Sequence, residues 1–192
     1  RQIAELALSP SPDAMAGALT GKWRNRLRHA LQHDIQIVRG AMPPDPRHWL
    51  FSAEALEARH LGYQPMSNVM VAALAAARPG AAQLFIARRG GSVLGAMLFL
   101  RHGSTATYQI GWSTKAGRAI SVNNLLMWRA MIDLSTLGIR RLDLGLADPA
   151  LSPGLAHFKC GTGADLRQLG GTWFWSGSLP FGRRSTSLQA SA

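Results

Sequence analysis

The sequence predicts an α/β (α+β) domain: a mixed central sheet, an antiparallel meander followed by a parallel pair, flanked by helices. Three observations lead there. Residues 82–113 hold three apolar runs separated by Gly90–Gly91 and His102–Gly103–Ser104, which are hairpin signals. Residues 119–137 contain neither Gly nor Pro and read as one long buried helix, ended by Gly138. A compact strand pattern, Ile139–Gly145, follows at once. A strand that returns after a helix usually enters the sheet parallel to its neighbour.

The other elements follow in order. Residues 1–20, with Ser9, Pro10, Ser11, Pro12 and Gly17, read as an N-terminal arm or linker. Gly21–His33 is helical, with Trp23, Leu27, Ala30 and Leu31 on one face. Ile35–Val38 is a short strand, stopped by Gly40 and a Pro43–Pro44–Pro46 loop. Helical patterns at His48–Leu61 and Ser67–Ala77 end at Gly62 with Pro65 and at Pro79–Gly80. After Ile139–Gly145, a loop with Pro149 and Pro153 leads to a short helix at Leu155–Lys159 and a flexible turn with Gly161 and Gly163. A β-pair closes the domain, Leu166–Leu169 with Thr172–Trp175. The expected domain is 21–176, and 177–192 is expected to be a mobile tail. No internal repeat is visible.

Composition narrows the classes. A chain of 192 residues with 47% apolar content builds one hydrophobic core. The longest uncharged stretch, Leu61–Ala77, contains Gln64, Pro65, Ser67 and Asn68 and cannot span a bilayer as a helix. The single cysteine, Cys160, has no internal disulfide partner, and no Cys/His cluster has metal-ligand spacing. With no signal peptide at the start, a cytoplasmic location is expected; the absence of an initiator Met suggests a fragment. Lys and Arg number 21 against 10 Asp and Glu, a net charge of +11. Only Lys22, Lys115 and Lys159 are lysines, an arginine bias that a GC-rich genome would also produce. The shortage of carboxylates is not explained that way, and it points to a polyanionic partner.

The element order, three strands, long helix, strand, short helix, two strands, is that of the GNAT acyltransferase fold. In that fold two neighbouring parallel strands part, and their unpaired backbone groups dock an ester or thioester donor like an added strand. Here those strands would be Thr107–Trp112 and Arg141–Gly145. The segments GKWRNRLRHA, YQIGWSTKAGR, NNLLMWRAMIDLSTLGIRRLDLG and GLAHFKCGTGADLRQLGGTWFW carry a closer likeness. Through them residues 21–175 resemble the Fem-type (FemAB-like) branch of the GNAT superfamily, which includes tRNA-dependent peptidyl ligases of cell-wall synthesis and many bacterial acyltransferases. Members often carry two GNAT-like halves, and this chain resembles the C-terminal one. A second half, or a second copy, is therefore an expected partner. One departure stands out. The R/Q-x-x-G-x-G/A turn that cradles the CoA pyrophosphate in ordinary acetyltransferases is replaced by Ser113–Ala119, with a single glycine, Gly117.

The candidate residues fall into two groups. Lys159 is the first candidate for catalysis: the resemblance places its Phe158–Lys159 pair beside the donor, the aromatic on the aminoacyl-tRNA end and the lysine against the charge that develops in acyl transfer. A surface lysine lying over Phe158 is the plain alternative. Tyr108, with Gln109, lies on the parting strand and could orient the acyl carbonyl. Asp143 could serve as a base or orient the amine, or pair with an arginine. His157 is a weaker base candidate, and Cys160 has no identifiable base to make it a nucleophile. For donor or acceptor binding, Lys22, Arg24, Asn25 and Arg26, with Arg28, form an anion-site candidate or a solvated helix face. Lys115 and Arg118, at a helix start, could hold a phosphate. Trp173, Phe174 and Trp175 read as core aromatics.

The expected function is acyl or aminoacyl transfer from a phosphate-bearing co-substrate, acyl-CoA or aminoacyl-tRNA, to a small-molecule amine. No metal and no tightly bound cofactor is expected. The competing reading is a non-catalytic module of the same fold that binds RNA or another polyanion.

Overall fold

The computed structural model describes residues 1–171. In chain order the elements are β1 (Gln2–Ala7), α1 (Pro12–Ala18), α2 (Gly21–Leu31), β2 (Gln36–Ala41), α3 (Trp49–Leu61), α4 (Asn68–Ala77), β3 (Ala82–Arg89), β4 (Ser92–His102), β5 (Thr105–Ser113), α5 (Lys115–Ala119), α6 (Val122–Thr136), β6 (Arg141–Leu146), α7 (Pro153–Cys160) and β7 (Asp165–Gln168). The strands form one sheet in the order β2-β3-β4-β5-β6-β1-β7. β2 through β5 are antiparallel, β6 joins β5 in parallel, and β1 runs antiparallel to both β6 and β7. The mixed sheet read from the sequence is the sheet observed.

Alternation along β4 divides the core. Met97 and Phe99 face one side with Phe85, α6 and α2. Ala96, Leu98 and Leu100 face the other, against Leu50 and Phe51 of α3 and Val71 of α4. Burying each of these large side chains contributes about 1.5–3 kcal/mol.

The structure corrects three expectations about these elements. The supposed N-terminal arm contributes β1 to the sheet interior, with Ala4 and Leu6 buried; Glu5 ties it down by ion pairs to Arg141 of β6 and Arg167 of β7. The Ser-Pro-Ser-Pro run drew attention away from this six-residue strand. The long helix, expected from residue 119, starts at Val122, because Ser121 takes a left-handed conformation (φ 59°) and caps α6. Leu31 is exposed rather than on the buried face of α2, because the helix ends there and the chain turns away. The last described strand, β7, pairs with β1; its expected partner Thr172–Trp175, with Trp173 and Phe174, and the expected tail lie outside the described residues.

Gly117 shows what the one glycine of the Ser113–Ala119 stretch is for. A Cβ there would lie 2.2 Å from the carbonyl oxygen of Leu94, so α5 packs on the backbone of β4. Its amide donates to the Thr114 hydroxyl at 2.9 Å. Gly117→Ala is expected to cost about 1–3 kcal/mol, because neither backbone can give way easily; a shifted urea midpoint at unchanged slope is the measurement.

Candidate active site

The parallel pairing of β5 with β6 covers only Thr105–Thr107 against Arg141–Asp143. Two local features open the seam beyond it. Opposite β4, Leu98 pairs with Ile110 and Phe99 with Tyr108, so Gln109 is an extra residue, a bulge that re-aims β5 as it leaves Thr107. On β6, Gly145 adopts φ +73°, and its amide donates to Asp143 Oδ1 at 2.7 Å. Asp143 therefore fastens the turn that carries β6 away.

Lys159 fills the end of that opening. It is 6% exposed; its Nζ donates to the Leu146 carbonyl at 2.8 Å and lies 5.9 Å from the centre of the Tyr108 ring. Burial pulls its ammonium down to about 8, opposed by the charges of Asp143 and Cys160. Of its three N–H donors, one is committed to Leu146. The Tyr108 ring rests against Phe99, 5.5 Å between centroids, and folds back over its own strand. A Cβ on Gly111 would stand 1.6 Å from the Tyr108 hydroxyl, so only glycine lets the ring take this position. Burial raises the Tyr108 phenol far above its usual value, and the Glu57 charge adds to this. Tyr108 is thus a neutral hydroxyl over the working pH range.

Two lobes of one cleft meet beside the seam, sharing Arg26, Asn124, Gly154 and Phe158. The first, about 580 Å³, lies between α2 and α7 and presents Lys22, Trp23, His157 and Cys160. The second, about 630 Å³, reaches Tyr108, Gly111, Arg118, Asn123 and Glu57. Trp23 explains the placement of the first lobe. Its Nε1 donates to the Phe158 carbonyl at 3.0 Å and its ring stacks on Phe158, with centroids 6.3 Å apart. A Cβ on Gly161 would come within 2.7 Å of the Trp23 ring. The turn after α7 is therefore a packed joint, not the flexible hinge its glycines suggested. It brings the KWRNRL and FKxG segments together across 135 residues.

The candidate residues sort accordingly. Lys159, Tyr108 and Asp143 converge on the seam, with Lys159 lining neither lobe. Lys22, Arg26 and Phe158 line the first lobe, and Arg118 lines the second while donating to the Ser113 carbonyl at 2.6 Å. Arg24, Asn25 and Lys115 line neither: Arg24 donates to the Leu19 carbonyl, Asn25 accepts from Arg28, and Lys115 is exposed on α5. The spacing of charges along α2 puts Lys22 and Arg26, one turn apart, on the cleft side and the residues between them elsewhere. Nδ1 of His157 is bonded to Pro153 O at 2.6 Å, and the other ring nitrogen has no partner among the described residues. Sequence reading passed over Glu57, Asn123 and Asn124. Glu54 and Glu57 were detectable only as two carboxylates, three residues apart, in an acid-poor chain.

Glu54, 6% exposed, is pushed up to about 7, first by burial and then by the charge of Glu57. Its folded value exceeds its ordinary 4.5, so the stability it contributes is fully present below about pH 4.5 and is lost as pH rises through 7. Glu54→Gln is expected to flatten that part of the stability profile, on the order of 2 kcal/mol, in denaturant melts across this window.

A mixed sheet whose parallel strands part beside a cleft, with a buried ammonium at the parting, defines an acyl-transfer scaffold. The chain belongs to the acetyltransferase (GNAT) domain family, whose model matches residues 21–159. Among solved structures it is similar to FemX, at 14% identity and a TM-score of 0.69, over 86% of this chain and 59% of that one. It is also similar to the C-terminal domain of a candidate lysylphosphatidylglycerol synthetase from Agrobacterium fabrum, at 14% identity and a TM-score of 0.56, over 86% of this chain and 57% of that one. The chain thus spans less than three-fifths of the length of either. These likenesses show the fold, which is the Fem-like GNAT fold that the motifs resemble. No curated protein matches. Among the described residues no helix is long and apolar enough to cross a membrane, and no cluster of metal-ligating side chains is present.

Proposed function

We propose that this protein transfers an acyl or aminoacyl group from a phosphate-bearing donor to an amine. The observation that carries the reading is the parted β5–β6 seam with Lys159 at its end. Beyond Thr107 the β6-facing edge of β5 lacks its parallel partner, which suits docking of an ester or thioester carbonyl. A free amine attacks that carbonyl; the oxyanion is held by β5 amides and by the N–H groups of Lys159 not bonded to Leu146. Tyr108, neutral and fixed over Gly111, orients the carbonyl. Phe158 and Trp23 give the donor end an aromatic wall, and Lys22 and Arg26 give it cations.

The donor best supported is an aminoacyl-tRNA. The net charge of +11 favours a polyanion, and the single glycine of the Ser113–Ala119 stretch is packed against Leu94 with its amide engaged by Thr114. That leaves little of the glycine-lined cradle a CoA pyrophosphate uses. The proposal extends to a partner of the kind the motifs imply, a second GNAT-like half or a second copy.

Titration with aminoacyl-tRNA and with acetyl-CoA, each followed by product analysis, tests the reading. Aminoacyl-tRNA is expected to bind, with Lys22→Ala and Arg26→Ala each reducing the salt slope by about one. Saturable acetyl-CoA binding with no effect of tRNA would remove the tRNA donor. Steep salt-dependent tRNA binding without any acyl product would favour a non-catalytic polyanion-binding module.

A further inference from the structure

The first lobe of the cleft and the rim of the second are lined by cations, and one acidic side chain breaks that pattern. Glu57, on α3, lines the second lobe with Tyr108 and Gly111, on the side reached from the parted seam. It is half-buried, and among the described residues it forms no ion pair. Among the ten Asp and Glu residues of the chain, Glu57 is the one that lines either lobe of the cleft. We propose that Glu57 is the acceptor-binding carboxylate of this site: it holds the acceptor's ammonium group in the second lobe and takes its proton before attack. This rests on the acyl-transfer reading given above and names the residue that this reading lacked.

The groups facing Glu57 suit that role. Glu54 lies one turn earlier on α3, Tyr63 follows the helix, and Tyr108 approaches from β5; the Glu57 charge is felt at all three. Arg26 of α2 and Arg118 at the end of α5 line the same lobe without pairing with it. Glu54 is more deeply buried, and its raised value lets it carry a proton near neutrality, which removes a like charge from beside Glu57. Asn124 supplies an independent sign that this lobe is built for a ligand. It lines both lobes, is 3% exposed, and its amide nitrogen has no hydrogen-bond acceptor within the described residues. An amine that carries a carbonyl or carboxylate oxygen on its skeleton would satisfy both ends of the lobe, ammonium to Glu57 and oxygen to Asn124.

The step balances without a further reactant. Glu57 accepts one proton from the ammonium, leaving a neutral amine. The amine lone pair forms the N–C bond as the carbonyl π pair moves onto oxygen. Collapse of the tetrahedral adduct breaks the bond to the donor's oxygen or sulfur, and that leaving group departs with the second nitrogen proton. Glu57 then releases its proton to solvent. Asp143, whose Oδ1 accepts from the Gly145 amide, lines neither lobe of the cleft.

The test has a binding arm and a kinetic arm. Glycinamide, an ammonium with an adjacent carbonyl, is titrated into the wild type and Glu57→Gln without any donor, with NMR as the readout. Saturable wild-type binding, weakened at least about tenfold in Glu57→Gln at an unchanged melting midpoint, supports the proposal; no wild-type binding, or equal binding, overturns it. With whichever donor is turned over, Glu57→Gln should lower kcat/KM for glycinamide about 100-fold near pH 7. The loss should shrink as pH approaches the amine's own pKa, where free amine no longer needs a base. A loss that stays constant with pH overturns the base role. Ammonium binding through Glu57 with no transfer from any donor would count against the acyl-transfer reading while leaving the carboxylate's role in amine binding in place.

Discussion

Lys159→Met, which keeps the stem and removes the charge, is expected to lower kcat about 100- to 1000-fold with little change in donor affinity. The buried ammonium contributes only where negative charge develops, and the transition state is the one point at which the bound carbonyl carries it. Folding should be nearly unaffected. The variant leaves the Leu146 carbonyl without its donor, which costs about 1–3 kcal/mol, but it also removes a cation whose burial is unfavourable. The pH profiles give a second readout. The Lys159 ammonium titrates near 8 in the folded protein instead of 10.5. Wild-type kcat should therefore fall above about pH 8, and Lys159→Met should lack that limb. Stability should move the other way. Between 8 and 10.5 the unfolded chain holds the proton that the folded chain has released, so the Lys159 contribution to stability rises with pH. Unchanged turnover in Lys159→Met would remove the lysine from the chemistry.

Gly111→Ala is expected to reduce turnover about 100-fold while costing about 1–2 kcal/mol in stability. The added methyl would stand 1.6 Å from the Tyr108 hydroxyl and 2.6 Å from its Cζ. Backbone movement is resisted by the β4 pairing of Gly111 with Met97, so the ring must swing off the strand instead. Swinging carries it into the second lobe, where the carbonyl and the amine are proposed to meet. The damage should depend on the tyrosine. Introduced into a Tyr108→Ala background, Gly111→Ala should have almost no further effect on turnover, a large coupling in a double-mutant cycle. Additive losses would mean that Gly111 acts through the strand and not through the ring.

Some of this molecule could be read directly from residue order, and some could not. The meander, α3, α4, β6 and α7 were legible because each has its own periodicity and its own stop signals. β1 was not: six residues of mixed polarity before a Pro-rich run look like an arm until β6 and β7 are present to pair with them. The start of α6 at Val122 was hidden because a serine gives no warning of a left-handed conformation. The element order singled out the two strands that part, Thr107–Trp112 and Arg141–Gly145, but not that Arg141–Asp143 stay paired or that Gln109 forms a bulge. The cleft was half legible. The clustered charges on α2 stood out as a run, but only the helix phase separates Lys22 and Arg26 from Arg24 and Asn25.

The sequence by itself determined the order of elements, the positive charge and the joining of two distant motifs to one family. Each of these depends on local pattern or on composition, and both are present before the chain folds. Tertiary structure alone decided which side chains face one another: that Trp23 closes on Phe158, that Lys159 reaches the Leu146 carbonyl, and that Glu57 stands in the same lobe as Tyr108. These pairings join α2 to α7, α7 to β6 and α3 to β5, and they exist only once sheet packing has fixed the rotation of each helix.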